Sequence, residues 1–536
     1  MRSHHCPNRS MFPLPFLGLA LVLLISLVPP TSSCTEQEKS SLLQLLAGFS
    51  QDGGLAASWR KDTDCCTWEG ITCSPNRTVS DVLLASRGIE GSISQFLGNL
   101  TGLLRLNLSC NSLSGGLPLE LVSSSSIIVL DVSFNRLTGG LSELPSSTPA
   151  RPLQVVNVSS NLFTGRFPST WEVMKSLVAL NAKNNSFTGQ LPTILCLSAP
   201  SFTVLELSFN EFSGNIPPGL GNCSMLKLLS AGYNNLSGTL PDDVFKVTSL
   251  EHLSLPNNWL EGALNGIIKL KNLVSLDLGG NELSGNIPES IGELKSLEEL
   301  HLEQNHMSGE LPSALSNCTQ LITISLKGNQ FRGELTKVNF SNLPNLEKID
   351  LLHNNFIGNI PESLYLCSKL TALRLSGNHL HGQLSEKIGN LKSLSFLSVA
   401  NLSLTNITRT LQILGSSRSL TNLFIGSNFL HEAIPEDDSI DGFENLQVLS
   451  MSDCSLSEWT SSLNLLFYLD ISNNSFTGKI STALMEMPML KSDRTAPKVF
   501  FELPVYLFSP FIQYLKPGAF PKVLNLAINN FTGAIP

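Results

Sequence analysis

Apolar residues recur along this chain in a single frame, L-x-x-L-x-L-x-x-N-x-L-x-G-x-I-P, with polar residues in most of the gaps. Good copies are LVSLDLGGNELSGNIP (Leu273 to Pro288) and LEELHLEQNHMSGELP (Leu297 to Pro312). The asparagine position can be followed as Arg87, Asn111, Asn135, Asn161, Asn185, Asn210, Asn234, Asn258, Asn281, Asn305, Asn329, Asn354, Asn378, Leu402, Asn428, Cys454, Asn474 and Asn529. Most steps are 23 to 26 residues, and the last two are 20 and 55. Self-similarity at this period marks a stacked array. A chain of 536 residues also exceeds what one compact core usually holds.

Each position of the frame has a physical job. The alternation in L-x-L predicts a short strand with one buried face. Stacked copies then form a parallel sheet, the concave wall. The Asn side chain turns inward where the backbone leaves the strand and satisfies N–H and C=O groups that lack a ladder partner. Cys454 departs from Asn within the latitude of the pattern, but Leu402 does not, so an irregular turn is expected there. The Gly permits close backbone approach and the Pro ends the extended stretch. A lone repeat cannot bury its leucine face, so stability is a sum over neighbours and the ends need caps. The expected fold class is an α/β leucine-rich-repeat solenoid with a parallel β-sheet.

The front cap is visible. Glu36 to Phe49 carries Leu42, Leu45, Leu46 and Phe49 at helical spacing, and CCTWEGITC follows (Cys65 to Cys73). Trp68 is expected to lie as a lid over the first leucines. Cys34, Cys65, Cys66 and Cys73 suggest disulfide staples. Three pairings are possible and the sequence does not choose among them. Cys34–Cys65 with Cys66–Cys73 is taken as the expectation. Cys223, Cys318 and Cys367 share one repeat position and read as buried thiols. No His accompanies the cysteines at ligand spacing, so no metal is expected, and no cofactor. At the other end the chain stops inside a repeat at Gly533-Ala534-Ile535-Pro536. An uncapped edge strand is an aggregation hazard, so a truncated product or incomplete gene model is expected.

Composition narrows the function classes. Arg2 and Arg9, an apolar run from Met11 to Val28 and the small residues Thr31-Ser32-Ser33 read as a secretory signal peptide over 1–33. Only 14% of residues are charged and the net charge is −9, which argues against a nucleic-acid partner. Val499 to Leu515 is the nearest approach to a second apolar span, and Glu502, Pro504 and Pro510 interrupt it. No nucleophile, base and orienting residue assemble by motif. His252, His301 and His353 fall in different repeats and read as surface residues. The chain is expected not to be an enzyme. The expected domains are the signal peptide at 1–33, the cap at 34–78, repeats at 79–487, an insertion at 488–521 and a partial repeat at 522–536.

Two breaks in the array carry functional information. Between Cys454 and Asn474 the frame loses G-x-I-P, and Ser457 runs into Glu458-Trp459-Thr460. One repeat of ~24 residues is expected to be missing there. Between Asn474 and Asn529 the step exceeds the normal one by about 31 residues. This stretch holds Phe500, Phe501, Tyr506, Phe508, Phe511, Tyr514 and Phe520, together with Lys491, Arg494, Lys498 and Lys516. Long insertions in compact arrays are uncommon and often functional. Thirteen N-x-S/T sequons follow the signal peptide. Asn107, Asn157 and Asn401 sit beside strand leucines, so Asn339 and Asn406 are the better glycosylation candidates.

The L-x-G-x-I-P frame and the CCTWEGITC cap together resemble plant extracellular leucine-rich-repeat receptors over essentially the whole mature chain. LSLTNITRTLQILGSSRSLTNLFIGSNFLHEAIPEDDSI (Leu402 to Ile440) and LFYLDISNNSFTGKI (Leu466 to Ile480) resemble the phytosulfokine and tyrosine-sulfated glycopeptide receptors. An insertion follows where that group carries its island domain. The resemblance implies a receptor kinase that holds a short sulfated peptide between island and concave sheet and then recruits a co-receptor kinase. No Gly-rich phosphate loop, H-R-D or D-F-G occurs here, so membrane attachment would come only through a C-terminal anchor missing from this sequence. The repeat missing just before the island is expected to deform the pocket wall.

Sulfate offers only acceptor oxygens and needs Lys, Arg or backbone N–H donors. On the strands, Lys327 and Arg374 are the cations nearest the irregular repeats. Ser398, Ala400, Phe424 and Gly426 leave room for a peptide. In the island, Lys491, Arg494 and Lys498 flank Phe500 and Phe501, which could pair with an extended peptide by strand addition. The leading function is perception of a short secreted, tyrosine-sulfated peptide. The alternative class is a soluble inhibitor or decoy that binds a pathogen protein or enzyme.

Overall fold

The computed structural model describes residues 34–145, 149–429, 432, 442–456, 466–480, 490 and 523–533. The signal segment, the stretch around Glu458 and the island with Lys491, Arg494, Lys498, Phe500 and Phe501 lie outside the described residues. The chain divides into two units, Met1–Glu261 and Gly262–Pro536.

The first unit begins with the expected cap. Thr35 opens the helix Glu36–Ala47 with a capping box closed by Glu38, and Leu42 and Leu45 are buried on its inner side. The same Glu38 also accepts from the backbone N–H of Val79 at 2.9 Å, tying the helix to the first strand of the array. Cys34–Cys65 and Cys66–Cys73 are bridged. Trp68 is buried, stacks on Trp59 at 5.4 Å and donates its indole N–H to Thr63 Oγ1 at 2.7 Å. A short strand, Ile71–Cys73, runs antiparallel to Val79–Leu83. Within the first unit the described L-x-L segments that follow pair in parallel and in register, as in Asp81↔Arg105, Arg105↔Val129 and Val129↔Val155.

The leucines of each strand point into the stack. Phenylalanines one repeat apart form a spine, with Phe163, Phe187 and Phe212 spaced 6.1 and 6.2 Å. Edge and offset contacts at this spacing add to simple burial.

The Asn side chains do what the frame requires. In the first unit Asn135 donates through Nδ2 to the carbonyls of Leu108 and Val132, both at 3.0 Å, and accepts from the Leu113 N–H at 2.9 Å. In the second unit Asn329 bonds Leu302, Leu326 and Met307 in the same way at 2.9, 3.0 and 3.0 Å. One amide therefore serves two consecutive repeats. The residue before it is left-handed in both, Phe134 at φ 52° and Gly328 at φ 65°.

A second parallel sheet, which periodicity alone does not reveal, runs beside the first. It is built from the L-x-G segments, for example Glu211–Asn215 beside Asn235–Thr239 in the first unit and Gln330–Glu334 beside Asn355–Gly358 in the second. The outer side of most repeats is a single 3₁₀ turn such as Glu289–Glu293 or Glu362–Leu366. A 24-residue repeat with two strands has little chain left for more. Leu119–Val122 and Leu195–Ser198 each make one α-helical turn instead. The longest such segment among the described repeats is Ile407–Gly415, an α-helix capped by Asn406, which accepts from the Arg409 N–H at 3.1 Å.

Three expectations change. The turn at Leu402 is regular: Asn401 keeps the left-handed conformation at φ 51° and bonds the Gly426 carbonyl at 2.8 Å, while Leu402 is buried. The preserved backbone bonds hold the turn, and the irregularity falls on the outside as that helix. Nor is the wall deformed where a repeat was expected to be missing. Val448 pairs with Tyr468 and Tyr468 with Val523 in unbroken parallel register. Asn474 accepts from the N–H groups of Cys454 and Leu456, both at 3.0 Å. Thirdly, Cys223 is not a thiol. Stacking brings it to 4.6 Å, Cα to Cα, from Cys196 of the preceding repeat, and the two are bridged.

Cys318, Cys367 and Cys454 are free and buried, and burial pushes each thiol up to about 11. Cys318 donates to the Ile291 carbonyl at 3.2 Å and Cys367 to that of Phe340 at 3.3 Å. These three thiols should resist alkylation at pH 8 until the chain is unfolded, and mapping of non-reduced peptides should return Cys196 joined to Cys223. Asn329→Ala leaves the Met307 N–H without a partner, at about 1–3 kcal/mol for a buried group, while the Leu302 and Leu326 carbonyls keep Asn305 and Asn354 as donors. Hydrogen exchange should accelerate locally over residues 302–331, with distant repeats unaffected.

Candidate functional site

In the second unit the strands from Thr323–Ser325 to Tyr468–Asp470 carry the residues singled out by sequence. Register sets their order. The third strand position reads Ser325, Asp350, Arg374, Ser398, Phe424 and Ser450 on successive strands. The first position reads Lys348, Ala372, Phe396, Asn422, Val448 and Tyr468. Side chains at these positions stand on the face opposite the leucines.

Lys327 and Arg374 belong to one cluster, but they are not solvated cations. They are 4% and 5% exposed. Arg374 donates through Nη1 to Asp350 Oδ2, and its guanidinium lies 5.9 Å from the centroid of Phe396. The Phe396 ring stacks on Phe424 at 5.4 Å. Asp350 takes the Leu352 N–H on its other oxygen at 3.2 Å. Two buried polar atoms nearby make no hydrogen bond, Arg374 Nε and Glu303 Oε2.

The electrostatics follow from this arrangement. Burial, reinforced by the charge of Arg374, brings Lys327 down to about 8 against the opposing pull of Asp350 and Glu303. His353 stands left-handed at φ 53° on the exposed rim. Partial desolvation and the positive charges of Lys327 and Arg374 hold its pKa below the ordinary histidine value. The cluster thus changes charge on both sides of neutrality.

The remaining predicted residues adjoin it. Ser398 shares a 2.6 Å hydrogen bond with Ser376, whose oxygen also accepts from the Ala400 N–H at 2.7 Å. Gly426 is buried, and a Cβ there would stand 2.6 Å from the Ser452 carbonyl oxygen, so this position demands glycine. Sequence reading missed Asp350, the counter-ion, and Phe396, the ring that stacks on Phe424. The available signal was the alternation itself, because large aromatics at the first strand position are unusual in the earlier repeats. It also missed Asn422, fully buried with Nδ2 unbonded.

This arrangement suits binding, and nothing in it suits covalent chemistry. Arg374 has a spare donor, Lys327 a proton that is lost near pH 8, and the phenyl shelf an apolar surface. One group among the described residues, Cys34, Asp64 and Cys65, has metal-ligand spacing. Its sulfurs form a disulfide, and Asp64 is committed to the backbone N–H groups of Cys66 and Cys34 and to Arg77. Asn339 and Asn406 are exposed and use Oδ1 to cap the helical segments that follow, and Asn339 Nδ2 also reaches Asn342 Oδ1 at 3.5 Å.

The repeats and their cap define a leucine-rich-repeat recognition domain. The leucine-rich repeat region family matches residues 173–490 and the leucine rich repeat N-terminal domain matches residues 35–74, and the chain belongs to this family. It is 35% identical over 225 residues to Receptor-like protein 3 of Arabidopsis thaliana, covering 39% of this chain and 29% of that one. It is 33% identical over 206 residues to Phytosulfokine receptor 1 of the same plant, covering 38% and 18%. The chain therefore spans less than a third of the length of either. The receptor kinase HAESA, solved with the peptide hormone IDA and the co-receptor SERK1, matches at TM-score 0.55 and 26% identity over 85% of this chain and 93% of that one. PEPR1 with AtPEP1 shares the fold at TM-score 0.66 and 24% identity over 85% and 74%. The chain has the ectodomain architecture of plant leucine-rich-repeat receptors.

Removing Arg374 alone strands Asp350 in a site from which water is nearly excluded, so Arg374→Ala should destabilise the fold by about 3–5 kcal/mol. Arg374→Met with Asp350→Leu removes both charges and should recover most of that loss. Urea melts of the two variants test this, and equal destabilisation would show that the pair is not the cause.

Proposed function

We propose that this chain is the ligand-binding part of a plant cell-surface receptor, and that it takes a short secreted peptide bearing an anionic, tyrosine-sulfated side chain. The observation that carries the reading is the buried Arg374 with an unbonded Nε beside Lys327, at the edge of an aromatic shelf. Buried guanidinium donors are costly to leave unbonded, and a sulfate oxygen brought to Nε would satisfy that donor. The shelf of Phe396 and Phe424 accepts the phenyl ring that carries the sulfate. Small residues at Ser398, Ala400 and Gly426 leave the adjoining strands low enough for an extended backbone.

Lys491, Arg494, Lys498, Phe500 and Phe501 of the island belong to the same proposal as the opposite wall. A co-receptor kinase with its own leucine-rich repeats joins once the peptide is seated. In this reading membrane attachment and the kinase belong to a longer form of the protein, and the domain bounds are those of the sequence reading, 1–33, 34–78, 79–487, 488–521 and 522–536. The extracellular setting is supported by the bridged cysteines.

Titration of the secreted chain with a short tyrosine-sulfated peptide and its unsulfated twin tests the reading. The sulfated form should bind at least about tenfold more tightly, the worth of one charge-assisted hydrogen bond. Because Lys327 loses its proton near pH 8, affinity for the sulfated form should be level below that value and fall as pH rises through it. Equal affinity for both peptides at every pH would sink the sulfate pocket.

A further inference from the structure

The first unit carries an exposed aromatic row that the peptide site does not use. Phe209 and Tyr233 occupy equivalent positions in successive repeats and stack nearly parallel, with centroids 4.2 Å apart and planes 9° apart. Phe209 is 43% exposed, and the ammonium of Lys183 sits 5.4 Å from its ring on the preceding repeat. Trp259, in the repeat after Tyr233, is 61% exposed. Both stacked residues are left-handed, Phe209 at φ 58° and Tyr233 at φ 57°. The same position is left-handed in other repeats, where it holds Gly280, Gly328 or Asn257 but also Phe134, Gln304 and His353. A bulky ring there costs conformational energy, and such strain persists where it serves a purpose.

What stands next to the row is a sequon, Asn235-Leu236-Ser237. Asn234 and Leu236 are buried, while Tyr233 is half-buried and Asn235 faces solvent. Asn235 is exposed, and Ser237, the hydroxyl residue of the sequon, is the register partner of Trp259. The acceptor asparagine thus lies two residues after Tyr233, whose ring stacks on Phe209, and one repeat before Trp259. A pyranose presents a face of polarised C–H bonds, and the electron-rich face of an aromatic ring is its natural partner.

We propose that Asn235 is N-glycosylated and that the first N-acetylglucosamine of its glycan packs on the Tyr233–Phe209 stack. The sugar covers apolar surface that would otherwise face water and offsets the strain of the two left-handed aromatics. The inference rests on passage through the secretory pathway, as does the receptor reading, but not on any peptide ligand.

The secreted chain gives the test. Mass spectrometry of glycopeptides should find Asn235 occupied. Release of that glycan from the native protein by an amidase should be about fivefold slower than in Tyr233→Asn, as expected for loss of one aromatic contact. Asn suits a left-handed residue, so Tyr233→Asn keeps the fold. In an Asn235→Gln background, which has no glycan, it should leave the melting temperature unchanged or raise it. In the glycosylated chain it should lower it by about 2 °C. The same shift in both backgrounds, or Asn235 unmodified on a chain whose exposed Asn317 carries a glycan, overturns the proposal. No modified sequon on any secreted chain would overturn the extracellular setting with it.

Discussion

One amide side chain per repeat holds this structure together. Each Asn of the ladder reaches back to the carbonyl of the repeat before it and forward to its own, while its oxygen takes an N–H from the preceding turn, as Asn135 and Asn329 do. Leucines provide the burial, but burial is indifferent to small slips along the stack. The amide is not, because its three partners stand in fixed directions. It therefore converts a hydrophobic column into an indexed one. Where Cys454 takes the position, the thiol reaches the Ile425 carbonyl only at 3.8 Å, and the index there is supplied by Asn474 of the next repeat.

Much of this was legible in the sequence because the frame is a direct record of local physics. The strand alternation, the Asn turn, the cap helix and the lid of Trp68 each follow from a few residues and their neighbours. What escaped depended on spacing between repeats. The second sheet arises because L-x-G segments of adjacent turns meet, and no single copy of the frame shows it. The Cys196–Cys223 bridge joins residues that differ in repeat position and come together only on the outside of the stack. The site was half legible. Arg374 lies on a strand and Lys327 two residues beyond the end of one, and their burial and the partnership of Arg374 with Asp350 depend on which residue the adjoining strand presents at the same level.

The ionic cluster and the glycan row illustrate two uses of the same scaffold. On the strand face the buried atoms Arg374 Nε and Glu303 Oε2 are left without a hydrogen bond, at some cost to stability. On the flank the aromatics of the first unit stand away from the strands, at the turn where each repeat changes direction. The two features share the repeat geometry and differ in which of its positions faces outward.

The strands on either side of the shortened step and of the long insertion meet residue for residue, Val448 against Tyr468 and Tyr468 against Val523. Connections of 20 and 55 residues thus leave the sheet blind to their length. An exon can gain or shed chain between two asparagines without disturbing the alignment of any other repeat. For such a lineage, new specificity is a matter of what is hung from the rail, and the inherited fold places almost no tax on the experiment.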